Sequence, residues 1–153
     1  MKIHAVCETS KGPFSFELFS SDEPEICDHF ISLIRKNTWT DGVTGEQRTD
    51  GFFDNSPIGP VIFQTAVAMP NKNFAAPSFD EQNINYSQKH TEGAVSLARG
   101  GDNHLGGIFF ICIRPMPQYD NLFPVFGKIT KGIETVSLLT EKDTLHRIWL
   151  EEY

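Results

Sequence analysis

Residues 93–113 read GAVSLARGGDNHLGGIFFICI, a glycine-rich polar loop that runs straight into an apolar strand. Several chemistries could use such a loop. A phosphate cradle is excluded, because those loops open a helix and this one opens a strand. Metal binding is not expected: His4, His29, His90, His104 and His146 show no ligand spacing, and His104 alone falls near the apolar strand. Cys7, Cys27 and Cys112 are odd in number and widely spaced, with neither a metal knuckle nor a redox pair among them, so they read as free thiols. No Ser-His-Asp grouping suggests a nucleophile. The run Ile108–Ile113 has no polar face. A strand of that kind is covered on both sides, and the question is by what.

The totals narrow the answer. The 153 residues suit one domain, 1–153, with a single core, and thirteen Phe point to an aromatic interior. A net charge of −7 argues against nucleic acid and against anionic membrane surfaces, since no basic cluster offsets phosphate repulsion. The longest apolar runs are too short to cross a bilayer, and the N-terminus turns polar within ten residues, so it does not read as a secretory signal. A cytoplasmic location is the expectation, with no cofactor.

The elements that would hold the strand are legible in the patterning. IHAVC and FSFELF alternate, and Ser10-Lys11-Gly12 between them reads as a hairpin turn. In SSDEPEICDHFISLIRKN a capping Ser21 or Asp22, a first-turn Pro24 and helical spacing of Ile26, Phe30, Leu33 and Ile34 predict a helix over 23–36. Residues 37–60 carry two Asp-Gly pairs and three turn-forming Gly or Pro near their end, and read as turns and irregular loop. A strand is expected at 61–68 and a long polar loop at 69–92. Further strands are expected at 93–98, 108–113, 124–130 and 145–152, with a short helix near 132–140. Many strands with two helices favour a closed barrel or sandwich.

Taken with VFGKITKGIETV (125–136), TSKGPFSFELF, DEPEICDHFISLI and KHTEGAVSLA, the opening stretch resembles the cyclophilins, the peptidyl-prolyl cis-trans isomerases, over nearly the whole chain. The resemblance implies a mainly β fold, an eight-stranded antiparallel β-barrel capped by two α-helices. It implies isomerisation of Xaa-Pro bonds in proline-containing peptides or unfolded protein segments. It also implies that the Phe-Phe strand lines a shallow outer groove, with one face in the core and the other forming the wall of a proline pocket. Phe109 and Phe110 would then face opposite ways, with Phe110 as the pocket floor. By the same motif positions, Ala98 is the small residue beside the groove and Gln64 the glutamine that bonds the peptide backbone.

The chain departs from the family where catalysis is concentrated. The family's arginine, which donates to the prolyl nitrogen, lies in a Phe-His-Arg segment that is missing here. Three registers remain open. FDN (53–55) puts Asn55 in its place; GFFDNS (51–56) leaves no counterpart; QRTDGFF (47–53) offers Arg48 as the donor and Phe52 as a groove aromatic. Across the groove, PQYDNLFPVFG places Gln118 where many members carry Trp, Tyr119 at the usual Leu and Phe123 at the usual His, while Ile108 replaces a common Gln. The resulting pocket is more aromatic and less polar. It is expected to weaken catalysis, or to leave a non-catalytic module that binds proline-containing or apolar segments. The sequence carries no sign of an oligomeric state.

Overall fold

The computed structural model describes residues 2–35, 39–40, 47–48, 53–54, 56–58, 65–68, 81–99 and 105–152, with the backbone alone at 39–40, 47–48, 65–68, 99 and 105–107. Alternating residues pair β1 (Ile3–Thr9) with β2 (Gly12–Leu18) across the two-residue turn Ser10-Lys11. Gly12 sits at φ +120°, a conformation L side chains rarely adopt, and the Thr9 hydroxyl donates to its carbonyl at 2.8 Å. Helix α1 (Pro24–Arg35) begins at the proline, whose missing N–H costs nothing in a first turn, and buries Ile26, Cys27, His29, Phe30 and Leu33.

The segment expected to be irregular contains three short strands: β3 (Trp39–Thr40), β4 (Gln47–Arg48) and β5 (Ser56–Pro57). The first two pair with each other as a separate ribbon, and β5 joins the end of the main sheet beside the last strand. Two-residue strands are too short for alternation to register, and the Asp-Gly and Pro-rich turn signals around them dominate the pattern. Pro57 is tolerated because β5 is an edge strand. The rest follows the sequence reading: β6 (Thr65–Ala68), β7 (Ala94–Arg99), β8 (Leu105–Cys112), β9 (Val125–Lys131), α2 (Ile133–Leu138) and β10 (Thr144–Glu152). The strand β8 starts earlier than its apolar run, taking in Gly106 and Gly107.

Eight strands form one sheet in the order β5-β10-β1-β2-β9-β7-β8-β6, every pair antiparallel. Strands β2 and β8 stand three positions apart, about 14 Å in a flat sheet, yet the Phe16 and Phe109 ring centroids lie 6.0 Å apart. The sheet is therefore strongly curled, and its concave face encloses the core. There Phe16, Phe30, Phe53, Phe109 and Phe126 interlock, with centroid separations of 5.2 Å for Phe30–Phe126 and 5.4 Å for Phe30–Phe53. Phe30 is carried by α1, so the helix covers the core through an aromatic plug. Gly132, at φ +88°, lets the chain enter α2 against β2: a Cβ there would lie 2.8 Å from the Phe14 Cβ.

Candidate functional site

On the central strands the side chains alternate between two packed faces. Val95 and Leu97 of β7, and Phe109 and Ile111 of β8, belong to the enclosed core. Ala94 of β7, Phe110 and Cys112 of β8, and Val125 of β9 belong to a second cluster on the convex face, joined by Met116 and flanked by Phe19, Ala98, Tyr119 and Phe123. This is why β8 lacks a polar side: each face packs against protein. Phe109 and Phe110 point opposite ways, as the sequence reading expects.

Phe110 is the centre of the second cluster. Its neighbours across the sheet are Ser96 of β7 and Val67 of β6. Tyr119 and Phe123 each meet its ring edge-on at 5.6 Å, and they meet each other at 5.6 Å, so three rings enclose a common point. Both residues come from the connection between β8 and β9, which contains a 3₁₀ turn at Pro117–Tyr119. Asn121 then adopts φ 67°, and the chain folds back so that Phe123 N–H donates to the Tyr119 carbonyl at 3.2 Å. Tyr119 and Phe123 are partly exposed, whereas Phe110 is only 5% exposed beneath them.

A fourth ring lies below. His90 stacks on Phe110 with centroids 5.9 Å apart and planes 8° from parallel, and meets Tyr119 edge-on at 5.8 Å. Its side chain is fully buried, with both nitrogens engaged: Nδ1 with Asp120 Oδ1 at 2.8 Å and Nε2 with the Ser96 hydroxyl at 2.9 Å. Asp120 Oδ1 also accepts the His90 backbone N–H at 2.8 Å. An ionised carboxylate only accepts, so Nδ1 carries a proton toward Asp120, while Nε2 lies within hydrogen-bond distance of the Ser96 oxygen. The Ser96 hydroxyl donates to the Pro124 carbonyl at 3.0 Å, which also accepts the Leu97 N–H at 3.1 Å. Burial pushes the His90 pKa down, with the Asp120 contact pulling it back; the His90 backbone N–H foremost, and then its ring, hold the Asp120 carboxyl below its ordinary value.

The loop carrying His90 is itself anchored. Glu23, buried at the start of α1, accepts the Asn85 N–H at 2.8 Å, and the Asp22 carboxylate accepts from the Gln88 side chain. Burial raises the Glu23 pKa despite the amide hydrogen bonds it receives.

Of the residues singled out from sequence, Phe110, Tyr119, Phe123 and Ala98 therefore meet in one cluster. Gln118 is exposed at its rim, its amide 3.9 Å from the Met116 sulfur. Ile108 is partly buried. Arg48 lies in β4 with its backbone opposite Trp39. Phe52, Asn55, Gln64 and His104 fall outside the described residues. His90, Asp120, Ser96 and Met116 were not singled out: thirty residues separate His90 from Asp120, and the available signal was a histidine placed just before a buried strand. Among the described residues no group of His, Cys, Asp and Glu is arranged to hold a metal ion, and no helix is long and apolar enough to cross a membrane.

Comparison with known proteins agrees with this geometry. Residues 4–149 match the family model described as cyclophilin type peptidyl-prolyl cis-trans isomerase/CLD. The chain is 27% identical over 146 residues to peptidyl-prolyl cis-trans isomerase CYP18-2 of Arabidopsis thaliana, covering 90% of this chain and 80% of that protein. It is 28% identical over 131 residues to peptidyl-prolyl cis-trans isomerase-like 3 of Mus musculus, covering 86% and 78%. A peptidyl-prolyl cis-trans isomerase of Helicobacter pylori is 26% identical over 147 residues, covering 95% and 85%. A curled antiparallel sheet with two helices, a doubly packed Phe-Phe strand and a family match over almost the whole chain lead to one conclusion: the chain belongs to the cyclophilin-type peptidyl-prolyl cis-trans isomerase family.

Proposed function

We propose that the protein isomerises Xaa-Pro bonds in peptides or unfolded protein segments, holding the proline ring against the convex-face cluster of Phe110, Tyr119 and Phe123 beside Ala98. The observation that carries this reading is the trio of rings around one point, two of them partly exposed, over a strand whose other face is core. Rotation about a peptide bond faces a barrier of about 18–20 kcal/mol, and lowering it by about 7 kcal/mol accelerates exchange roughly 10⁵-fold. No covalent step is required. A groove needs only to bind the twisted amide better than either planar form. Aromatic walls grip the ring, a donor to the prolyl nitrogen favours loss of conjugation, and groups such as Gln64 hold the flanking backbone. Arg48, in the β3–β4 ribbon, is the cation proposed for that donor, with Asn55 as the alternative. Gln118 and Phe52 complete the proposed rim.

A second reading, a binding module without catalysis, is favoured by two observations. Phe123 and Ile108 supply apolar atoms where the resemblance calls for polar groups, and Phe110 lies almost covered by its neighbours. Apolar grip would then persist without polarisation of the amide. The three free cysteines are all buried, which suits a cytoplasmic location as part of the same proposal.

The test is exchange of a short Xaa-Pro peptide followed by NMR, with and without protein. Faster exchange supports the isomerase. Peptide shifts on titration without faster exchange support the binding module. Neither effect, across peptides varied before the proline, removes both readings.

A further inference from the structure

The segment that carries Tyr119 and Phe123 has little to hold it. The backbone N–H groups of Tyr119, Asp120, Leu122 and Phe123 all bond internally, to the carbonyls of Met116, Pro117 and Tyr119. Between Met116 and Phe123 its polar ties to the rest of the described residues converge on His90, with Met116 N–H donating to the His90 carbonyl at 2.8 Å and Asp120 accepting both the backbone and ring N–H of His90; beyond Phe123 the Pro124 carbonyl is held by β7. The same imidazole lies flat on Phe110, and Ser96, opposite Phe110 on β7, holds its far nitrogen. One buried side chain therefore touches two of the three rings, Phe110 from beneath and Tyr119 at its edge, and ties the loop through Asp120.

We infer that His90 and Asp120 are positioning residues for the proposed proline groove: Asp120 locks the imidazole, and the imidazole fixes the plane of Phe110 and the pitch of the Tyr119–Phe123 wall. The inference rests on the reading of that cluster as the proline site. The physical case is one of small tolerances. Ring contacts fall off steeply with separation, and a binding wall displaced by about 1 Å loses much of its rate advantage. A loop of one short 3₁₀ turn has no ladder of its own to resist such a displacement. Phe110, standing on a sheet surface, has more than one staggered orientation open to it, and the imidazole beneath favours the one in which the rings stack. Asp120 touches no substrate in this scheme. It acts through His90, which acts through the rings.

A structural role alone would lower stability and leave the folded protein's kinetics intact. Asp120→Ala, Asp120→Asn, His90→Phe and the double variant His90→Phe/Asp120→Ala separate the two. Asp120 is partly exposed, so its variants are expected to fold, and His90→Phe keeps a ring beneath Phe110. With each protein held well below its melting midpoint, Asp120→Ala should lose at least about fivefold in kcat/KM, chiefly through a higher KM. The ring-proton shifts of Phe110 and Tyr119 should move with it. Asp120→Asn, whose amide oxygen still accepts both N–H groups, should recover kcat/KM to within about twofold of wild type. His90→Phe should resemble Asp120→Ala, and the double variant should be no worse than either, because the two act as one unit. Asp120→Ala within about twofold of wild type overturns the inference, as does an Asp120→Asn protein no better than Asp120→Ala. Phe110→Ala is measured alongside. If Phe110→Ala abolishes exchange and Asp120→Ala does not alter it, the groove stands and the positioning role falls. If Phe110→Ala leaves exchange intact, the groove is elsewhere and both fall.

Discussion

Phe110→Ala tests the placement of the groove, and its size can be worked out beforehand. The ring is 5% exposed, packed by His90, Tyr119 and Phe123 and seated in the cluster with Ala94, Cys112, Met116 and Val125. Truncating a buried Phe costs about 3–5 kcal/mol. Tyr119 and Phe123 are partly exposed and can settle into the space, which places the cost near the lower limit, about 3 kcal/mol. For a chain of this length that is a fall in Tm of roughly 6–12 °C. A domain stable by about 5–15 kcal/mol survives it at room temperature. Loss of the floor also removes the contacts that about three proline methylenes would make, worth roughly 2 kcal/mol, or about 30-fold in peptide affinity. The assay pairs a thermal melt followed by circular dichroism with NMR exchange of an Xaa-Pro peptide. A folded variant that exchanges the peptide within about twofold of wild type would refute the placement of the groove. An unchanged Tm would refute the packing argument itself.

Three further outcomes are expected. Arg48→Ala should slow exchange by about tenfold or more if its guanidinium is the donor to the prolyl nitrogen, while an unaltered rate removes Arg48 from that role. Gly132→Ala forces an L residue to φ +88° and sets its Cβ 2.8 Å from both the Phe14 Cβ and the Pro13 carbonyl oxygen. A loss of about 2–3 kcal/mol and a Tm lower by several degrees should follow, and a Tm unchanged to about a degree contradicts it. Acid should destabilise the fold in two stages. The folded state resists protonating His90, so its contribution is intact above the unfolded value of about 6.5 and is lost as pH falls from there toward the lowered folded value. Asp120 and Asp143, both depressed, contribute above their unfolded values near 3.9 and lose that contribution as pH falls through their folded values. Glu23, with its raised pKa, works the opposite way, because burying its charge costs stability until it is protonated. Comparison of Tm-against-pH curves with those of His90→Gln isolates the upper stage. Identical slopes for the two proteins between about pH 6.5 and 5 would rule out His90 as its source.

Much of the architecture was readable because local patterning and tertiary burial agree. Alternation in IHAVC and FSFELF matches one hairpin whose Ala5, Cys7, Phe14, Phe16 and Leu18 all enter the core. The helical spacing of Ile26, Phe30 and Leu33 matches the buried side of α1. The reading failed where elements are shorter than a pattern. The strands β3, β4 and β5 hold two residues each, and turn chemistry around them hides their pairing.

What the sequence determined by itself is the set of strongly periodic elements, their order, and a β8 strand apolar on both faces; these follow from hydrophobic spacing, which any backbone of that period must satisfy. Which residues share the convex face was settled by the curl of the sheet and the register of β7 against β8, which set Ser96 beside Phe110. The pairing of His90 with Asp120 was decided by tertiary structure alone. A buried imidazole is stable there because Asp120, thirty residues away, and Ser96, on the adjoining strand, bring hydrogen-bond partners to its two nitrogens. Local propensity carries no record of such a meeting; only the folded chain supplies it.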